Sequence, residues 1–228
     1  MLSIAIPCYE YRGKGAEILE YSFEKMRRQT YKNFDVVIAD HSVDDQIENL
    51  CCVWSNKLDI KYFRNENGRG NAAVNTNFSI RNCKGDLIKL LCQDDYLFDR
   101  FSLEKTVRAF DDDTNWLASA YMHTFDKIKY FRRHLPTMNP RIYVVNTIGT
   151  PSCVTLRNVN DMPLMDSNLS YYYDCDFYKR FADQYGMPKI ISDITVVNVL
   201  WENSISASVN NDLINREMQY ILKKYGVK

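Results

Sequence analysis

Two adjacent carboxylates, Asp94 and Asp95, follow the apolar run DLIKLLC at residues 86–92, and no basic residue stands beside them. Like charges this close raise each other's pKa, and a bound Mg²⁺ or Mn²⁺ relieves the repulsion while it binds phosphate oxygens. The pair therefore indicates a metal site for a diphosphate. The alternative is a solvated acidic turn or the cap of a following helix, because Asp is common in both places.

The segments around this pair predict a parallel sheet. Residues 2–6, 34–39 and 86–92 are short apolar runs typical of buried strands. Between them, apolar residues at helical spacing predict helices over residues 14–29 and 71–82. Alternating strands and helices predict an open α/β sheet, in which ligands bind outside the carboxyl ends of the strands.

Polar side chains follow these predicted strands at their carboxyl ends. Tyr9 and Glu10 follow the first strand, and Asp40 ends the second. Asp94 and Asp95 follow the third, so all five groups are expected at one edge of the sheet. For Asp40 taken alone, a simple cap at the end of the strand is the alternative.

The second half of the chain is less regular. A strand-like WLASAYMHTF is followed by a basic stretch that contains Arg132 and Arg133 and then by a strand-like RIYVV at residues 141–145. We expect a mixed-sheet half that shapes an acceptor pocket. The remaining predicted elements are a helix over residues 174–185 closed by Gly186, a strand over 190–200 and an amphipathic helix over 212–224.

Composition excludes several classes of protein. Lys+Arg and Asp+Glu both total 29, so no net field attracts nucleic acid, and we expect no nucleic-acid partner. The seven cysteines and three histidines show no zinc-ligand spacing, and we expect reduced core thiols in a cytoplasmic protein. No apolar run approaches the roughly 18 residues of a membrane span. We therefore expect no transmembrane segment and at most peripheral contact with a membrane.

The order of several motifs resembles the family 2 glycosyltransferases with the GT-A fold, over nearly the whole chain. The RRQTYKNFDVVIADHSVDD segment is the most specific match, to the family's Q-T-Y-x-N-F-E-V-I-I-V-D-D-G-S-x-D pattern. The other matching segments in the first half are SIAIPCYE, NGRGNAAVN and KGDLIKLLCQDDYL. The resemblance implies a single GT-A domain with a mostly parallel, mixed central sheet flanked by helices. Residues 1–98 would bind the nucleotide sugar and residues 99–228 the acceptor.

The resemblance also implies roles for residues in the first half. Asp94 and Asp95 match the positions that bind the divalent ion, Mn²⁺ or Mg²⁺, whereas Cys92 replaces an aspartate of the family pattern. Asp40 is expected to meet uracil or an equivalent base of the donor. The residues implied to bind the nucleotide sugar are Pro7, Tyr9, Glu10, Asp40, Arg69, Asn75 and Asp94.

A second segment, YYYDCDFYKRFADQYG, resembles the family's helix that carries the general base. Asp174 matches that base, and Tyr173 replaces the glutamate before it. An inverting transfer needs such a base on the face of the sugar opposite the leaving group, because the acceptor hydroxyl loses its proton as it attacks. The alternative is that Asp174 and Asp176 only open a helix, where the dipole favours carboxylates.

Two further segments are similar to family motifs that line the sugar and acceptor pocket. IGTPSCVTLRN matches a G-x-P-S pattern and implies that Gly149 and Ser152 contact substrate, although a glycine turn into a strand explains them equally well. VLWENSISAS matches a segment whose histidine is replaced here by Trp201, so no histidine ligand is expected. Trp201 could stack on a sugar or simply pack. With Asp176, these residues form the predicted acceptor and sugar pocket.

Together these features predict an inverting, hexosyltransferase-like enzyme. It would move a sugar from a nucleoside diphosphate, expected to be UDP, to a glycan, lipid-linked or protein acceptor, with Asp174 as the base. Because Cys92, Tyr173 and Trp201 replace polar residues of the family, the alternative is a catalytically impaired module that binds nucleotide sugars or glycans. A nucleotidyltransferase is a weaker alternative, since no glycine-rich basic phosphate loop follows the first strand.

Overall fold

A computed structural model describes residues 1–200 and 210–227, and within these ranges the chain forms one mixed sheet flanked by helices. The strands are β1 (Leu2–Cys8), β2 (Phe34–Asp40), β3 (Ile60–Arg64), β4 (Leu87–Leu90), β5 (Tyr96–Leu97), β6 (Trp116–Thr124), β7 (Tyr130–His134), β8 (Val154–Arg157) and β9 (Lys189–Val199). The helices are α1 (Gly15–Arg27), α2 (Gln46–Trp54), α3 (Ala72–Asn82), α4 (Ser102–Arg108), α5 (Tyr173–Tyr185) and α6 (Asn211–Lys224).

The strand order brings the ends of several strands to one edge of the sheet. The order is β3-β2-β1-β4-β8-β6-β9-β5, with β7 paired to β6. β1 runs parallel to β2 and β4, and β8 lies antiparallel between β4 and β6. The carboxyl ends of β1, β2 and β4 therefore share an edge with the amino end of β8. The predicted mixed α/β sheet is confirmed.

The sequence pattern accounts for the packing of the first half. β1, β2 and β4 are buried along almost their whole length, as expected for strands covered on both faces. Helix α1 buries its apolar stripe, including Leu19, Phe23 and Met26, in the main core. Helix α3 begins at Asn71, whose side chain accepts a hydrogen bond from the backbone N–H of Val74. The predicted strands and helices of this half are confirmed.

The predicted strand at residues 141–145 is wrong. The segment forms turns in which Ile142 N donates to Asn139 O and Val144 N donates to Arg141 O. Ile142 and Tyr143 are nevertheless buried. The apolar run therefore predicted burial correctly but not the backbone conformation. A short apolar run cannot distinguish these outcomes. The basic stretch before it instead forms β7, which pairs with β6 as a hairpin.

The cysteines lie mostly in the core, as the sequence predicted. All seven are free. Five are buried, Cys52 is exposed on α2, and Cys92 is half-buried after β4. No helix in the described part of the chain combines the length and apolar character needed to cross a membrane.

Asp176 is the centre of the contact between α5 and α6. Its carboxylate is fully buried and accepts hydrogen bonds from Arg180 Nε and Tyr225 OH, each at 2.8 Å. Lys224 Nζ lies 2.8 Å from the same carboxylate. Glu217 adds a second attachment, because it accepts three backbone N–H groups at the start of α5, at residues 170–172. These contacts place Asp176 in the interface between α5 and α6, where its charge pairs with Arg180 and Lys224.

Replacing Asp176 with Ala should lower the free energy of unfolding by about 2–4 kcal/mol, because Arg180 and Lys224 would lose their buried counter-charge. Urea denaturation measures this directly. Arg216→Gln, at an exposed position of the partner helix α6, should change stability by less than about 0.5 kcal/mol. Equal stability of the two variants would contradict a stabilising role for Asp176 in the α5–α6 contact.

Candidate functional site

Asn75 joins the ends of β1 and β2. Its buried amide nitrogen donates to Cys8 O at 3.0 Å and to Ala39 O at 2.9 Å. Its amide oxygen accepts from Asn65 Nδ2 at 3.1 Å. All these groups lie at the carboxyl edge of the sheet. Asn75 therefore ties the ends of β1 and β2 together, and its contact with a nucleotide sugar stays a prediction.

Asp40 is fully buried at the end of β2. Oδ1 accepts from Ser42 N at 2.8 Å, and Oδ2 accepts from Tyr62 OH at 2.8 Å. Arg64 Nη1 lies 4.0 Å from Oδ2. Burial and the bond to Asp40 raise the pKa of Tyr62. Oδ1 thus holds the turn after β2, as in the strand-end alternative, and Oδ2 joins the end of β2 to β3. A contact of Asp40 with a base stays a prediction.

Gln93 fixes the turn after β1. Its Oε1 accepts from Tyr9 N at 3.0 Å, and its Nε2 donates to Tyr9 O at 3.1 Å and to Gly15 O at 2.9 Å. A Cβ at Gly15 would lie 2.3 Å from Tyr9 O, so only glycine permits this close approach. Tyr9 is 42% exposed, and its ring centroid lies 4.8 Å from that of Tyr11. Tyr9 thus stands at the open edge, close to Glu10.

The predicted acidic pair lies at the same edge, together with Cys92. One ligand atom of each of Cys92, Asp94 and Asp95 lies within 4.8 Å of the other two. Burial raises the pKa of both aspartates, and the charge of Asp95 raises the pKa of Asp94 further, whereas the Lys127 ammonium opposes this increase. Buried carboxylates that repel each other fit a divalent cation well, because the cation neutralises both.

Asp95 is more firmly attached to the fold than Asp94. It is 1% exposed, and its Oδ1 accepts from Asn198 Nδ2 and from Val199 N, each at 2.9 Å. Its Oδ2 accepts from Thr150 Oγ1 at 3.0 Å. Asp94 is half-buried. Asp95 therefore anchors β9 and the Thr150 segment, and Asp94 is better placed to meet a ligand.

Ser152 ties the residue after β4 to the start of β8. Its Oγ accepts from Cys92 N at 2.8 Å, and its carbonyl oxygen accepts a short hydrogen bond from Lys89 Nζ. Both Ser152 and Lys89 are fully buried, and burial lowers the pKa of Lys89 to about 8. The predicted role of Ser152 in a substrate pocket stays a prediction, because these contacts belong to the fold.

Asn146 links the same segment to Asp174. Its Nδ2 donates to Asp174 Oδ2 at 2.8 Å, and its Oδ1 accepts from Gly149 N at 2.7 Å. Gly149 has φ 102°, and an added Cβ would lie 2.1 Å from Tyr121 OH, so glycine is required there. We call residues 146–152 the bridging segment, because its two ends contact Asp174 and the acidic cluster.

Asp174 lies in the first turn of α5. Its Oδ1 accepts from Cys175 N at 2.7 Å, and burial raises its pKa to about 6. Tyr173, beside it, interacts electrostatically with Asp174 and with both aspartates of the acidic cluster, and burial raises its pKa. With this pKa the carboxylate of Asp174 is ionised at neutral pH. Tyr173 lies close enough to interact both with Asp174 and with the acidic cluster.

The remaining predicted residues lie in different surroundings. Pro7 is half-buried within β1, and Arg69 is exposed in the loop before α3. Asp176 lies in the α5–α6 interface described above, and Trp201 lies outside the described residues. Three residues that the sequence analysis did not identify hold the site together, namely Gln93, Asn146 and Thr150. Their position beside Asp94 or Gly149 was the available signal, but no spacing rule identifies such partners.

Comparison with known proteins gives the same family over most of the chain. The sequence model described as glycosyl transferase family 2 matches residues 3–166. An uncharacterized glycosyltransferase of Rickettsia bellii is 22% identical, over 95% of this chain and 35% of that protein. Another, of Rickettsia conorii, is 26% identical over 87% of this chain and 33% of that protein. The chain spans about a third of the length of these relatives.

Solved structures share the fold at low sequence identity. S. aureus TarS 1-349 in complex with UDP-GlcNAc has a TM-score of 0.72 at 15% identity, over 98% of this chain and 66% of that one. A mannosyltransferase from Pyrobaculum calidifontis in complex with GDP-Man and Mn²⁺ has a TM-score of 0.66 at 13% identity, over 90% of this chain and 58% of that one. Since the family match covers well over half of the sequence and the sheet superposes on these structures, the chain belongs to glycosyl transferase family 2 and has the GT-A fold.

Proposed function

We propose that this chain transfers a sugar from a nucleoside diphosphate to the hydroxyl group of an acceptor, with inversion at the anomeric carbon. The observation that carries the proposal is the bridging segment, which contacts the acidic cluster through Thr150 and Asp174 through Asn146. One short segment thus contacts both the proposed cation-binding carboxylates and the proposed base. This arrangement suits a reaction in which the diphosphate leaves while the acceptor hydroxyl attacks.

A UDP-sugar is the proposed donor. Support comes from family membership and from the TarS structure with UDP-GlcNAc, although the mannosyltransferase neighbour holds GDP-Man. Residues 1–98 would bind the donor, with Tyr9 and Glu10 at the open edge and Arg69 from the exposed loop. Residues 99–228 would bind the acceptor, which we propose to be a glycan, a lipid-linked sugar or a protein. Free cysteines are consistent with a reducing, cytoplasmic location.

Asp94 and Asp95 are the residues proposed to hold a divalent cation, Mn²⁺ or Mg²⁺. The fit rests on their ligand atoms, within 4.8 Å of each other, and on the raised pKa of both carboxyls. When bound, such an ion would neutralise the charge that develops on the departing diphosphate. Asp94 supplies the more accessible carboxylate, while Asp95 is held in place by Thr150 and Asn198.

Asp174 is proposed to accept the proton of the acceptor hydroxyl. The acceptor oxygen forms its bond to the anomeric carbon while the bond to the diphosphate breaks, and the proton passes to Asp174. A base with a pKa of about 6 is ionised at neutral pH and still basic enough to share a proton in the transition state. The amide of Asn146 would orient the carboxylate and favour its charged form.

A catalytically impaired binding module remains the second candidate. Two substitutions favour it: Cys92 stands where the family pattern has an aspartate, and Tyr173 stands where it has a glutamate. Such a module would bind the nucleotide but would neither hydrolyse nor transfer the donor sugar.

Calorimetry with UDP and Mn²⁺ tests the donor site. Asp94→Asn should weaken the metal-dependent binding of UDP by on the order of 10–100-fold, because one of the two proposed carboxylate ligands is lost. Asp113→Asn, at an exposed position, should bind as the wild type does. Unchanged binding by the Asp94 variant would move the cation site elsewhere. A parallel screen for hydrolysis of UDP-sugars separates an enzyme from a binding module.

Asp174→Asn should lower kcat by about 10²- to 10⁴-fold, because the amide cannot accept the acceptor proton. The affinity for UDP with Mn²⁺ should stay the same. Asp183→Asn, on the exposed side of the same helix, is the matched control and should keep its activity. Transfer at the wild-type rate by the Asp174 variant would remove the base from this mechanism.

The rate of transfer should rise with pH through about 6, since Asp174 must lose its proton to act and its pKa is raised to that value. In Asn146→Ala, the loss of a hydrogen bond to the charged form should move this acid limb to higher pH. Profiles of kcat/KM against pH for both proteins measure the shift. An identical acid limb in the variant would show that Asn146 does not act on the titrating group.

A further inference from the structure

Cys92 differs from the other cysteines in its surroundings. Five cysteines are buried, and Cys52 is exposed on α2. Cys92 is half-buried at the carboxyl edge of the sheet, where its sulfur lies within 4.8 Å of a carboxylate oxygen of Asp94 and of Asp95. It is therefore accessible and in reach of the same ion that the two aspartates could bind.

The backbone holds Cys92 firmly, whereas its side chain is held weakly. Ser152 Oγ accepts from Cys92 N at 2.8 Å, which fixes the backbone of Cys92 two residues after the end of β4. Thr150 Oγ1 lies 4.0 Å from the sulfur, at the long limit for a hydrogen bond that involves sulfur. Ser152 also has a hydrogen bond with the thiol. Sulfur is a weak donor and acceptor, so the thiol can rotate toward the carboxylates at small cost.

The size of the cluster suits a single ion. Divalent ions bind oxygen at about 2.0–2.2 Å and sulfur at about 2.3 Å, so that two ligand atoms on one tetrahedral ion lie roughly 3.5 Å apart. The ligand atoms here are within 4.8 Å of one another. Rotations of the Cys92 and Asp94 side chains would close that difference, while Asp95 is held by its hydrogen bonds. Cys92 can therefore join Asp94 and Asp95 in one coordination shell.

Sulfur changes which ions such a shell prefers. Mg²⁺ and Mn²⁺ favour oxygen ligands, whereas thiolates favour softer ions such as Zn²⁺. The usual zinc motifs are spacings of Cys and His ligands. This cluster combines one cysteine with two aspartates, so those motifs do not detect it. An aspartate at this position would offer the all-oxygen set that hard ions favour.

We propose that Cys92 supplies a sulfur ligand to the cation site and that the site therefore binds thiophilic divalent ions, such as Zn²⁺, Co²⁺ or Cd²⁺, in preference to Mg²⁺. This inference rests on the cation site proposed above. On binding, the thiol proton is released to solvent and a metal–sulfur bond forms, so that no oxidant or reductant is needed.

Ultraviolet spectroscopy with Cd²⁺ and Co²⁺ tests the sulfur ligand directly. The full chain is used with Cys52→Ser, which removes the exposed thiol as a competing site, and is first freed of metal with a chelator. It should develop a sulfur-to-metal charge-transfer band that saturates at one equivalent of metal. The same chain with Cys92→Ser should show no such band while still binding Mn²⁺. A Cys52→Ser titration without a band, or a band that persists when Cys92→Ser is added, would overturn the proposal.

Competition between Zn²⁺ and Mg²⁺ tests the preference. Cys92→Asp should shift the ratio of the two affinities toward Mg²⁺ by on the order of 10–100-fold. An unchanged ratio would overturn the proposal. Failure here is distinguishable from failure of the proposed function, because Mn²⁺-dependent binding of UDP that is sensitive to Asp94→Asn would still establish the donor site. Loss of both would remove the cation site altogether.

Discussion

The attachment of the bridging segment to two carboxylates sets the spacing on which the site depends. Thr150 donates to Asp95 at 3.0 Å, and Asn146 donates to Asp174 at 2.8 Å. Asp95 follows β4, and Asp174 opens α5, so these charges come from different halves of the chain. The segment therefore fixes where the carboxylate of Asp174 lies relative to the acidic cluster. The close approach at Gly149, with Tyr121 where a side chain would stand, keeps the segment in its turn.

Several buried polar groups lie at the carboxyl edge of the sheet. Lys89 is fully buried beneath the cluster and donates to Ser152 O, and Asp95 takes three hydrogen bonds from its surroundings. Such groups cost free energy to bury unless they are paired. Their concentration at one edge is typical of a functional site. Asp94, less firmly held than Asp95, is the carboxylate in this cluster that a ligand can most readily engage.

Sequence reasoning located elements more reliably than contacts. The apolar runs at β1, β2 and β4 could be recognised because strands buried on both faces need continuous apolar residues. Residues 141–145 satisfied the same pattern but form turns, since a run this short reports burial and leaves the backbone undecided. Asp176 shows the same limit among charged residues. Its position at the start of a helix was visible, yet its partners Tyr225 and Lys224 lie far along the chain.

By itself, the sequence determined the order of strands and helices in the first half, the family resemblance and the grouping of Tyr9, Asp94 and Asp95 at one edge. These follow from local apolar patterns and from the rule that parallel strands end together. Only the tertiary structure decided which carboxylate oxygens are bonded to other side chains of the fold. Asp40 and Asp176 have the same chemical group as Asp94, but their oxygens are occupied by Tyr62 and by Tyr225. Such partners are brought together by chain folding, and no spacing along the sequence records that distance.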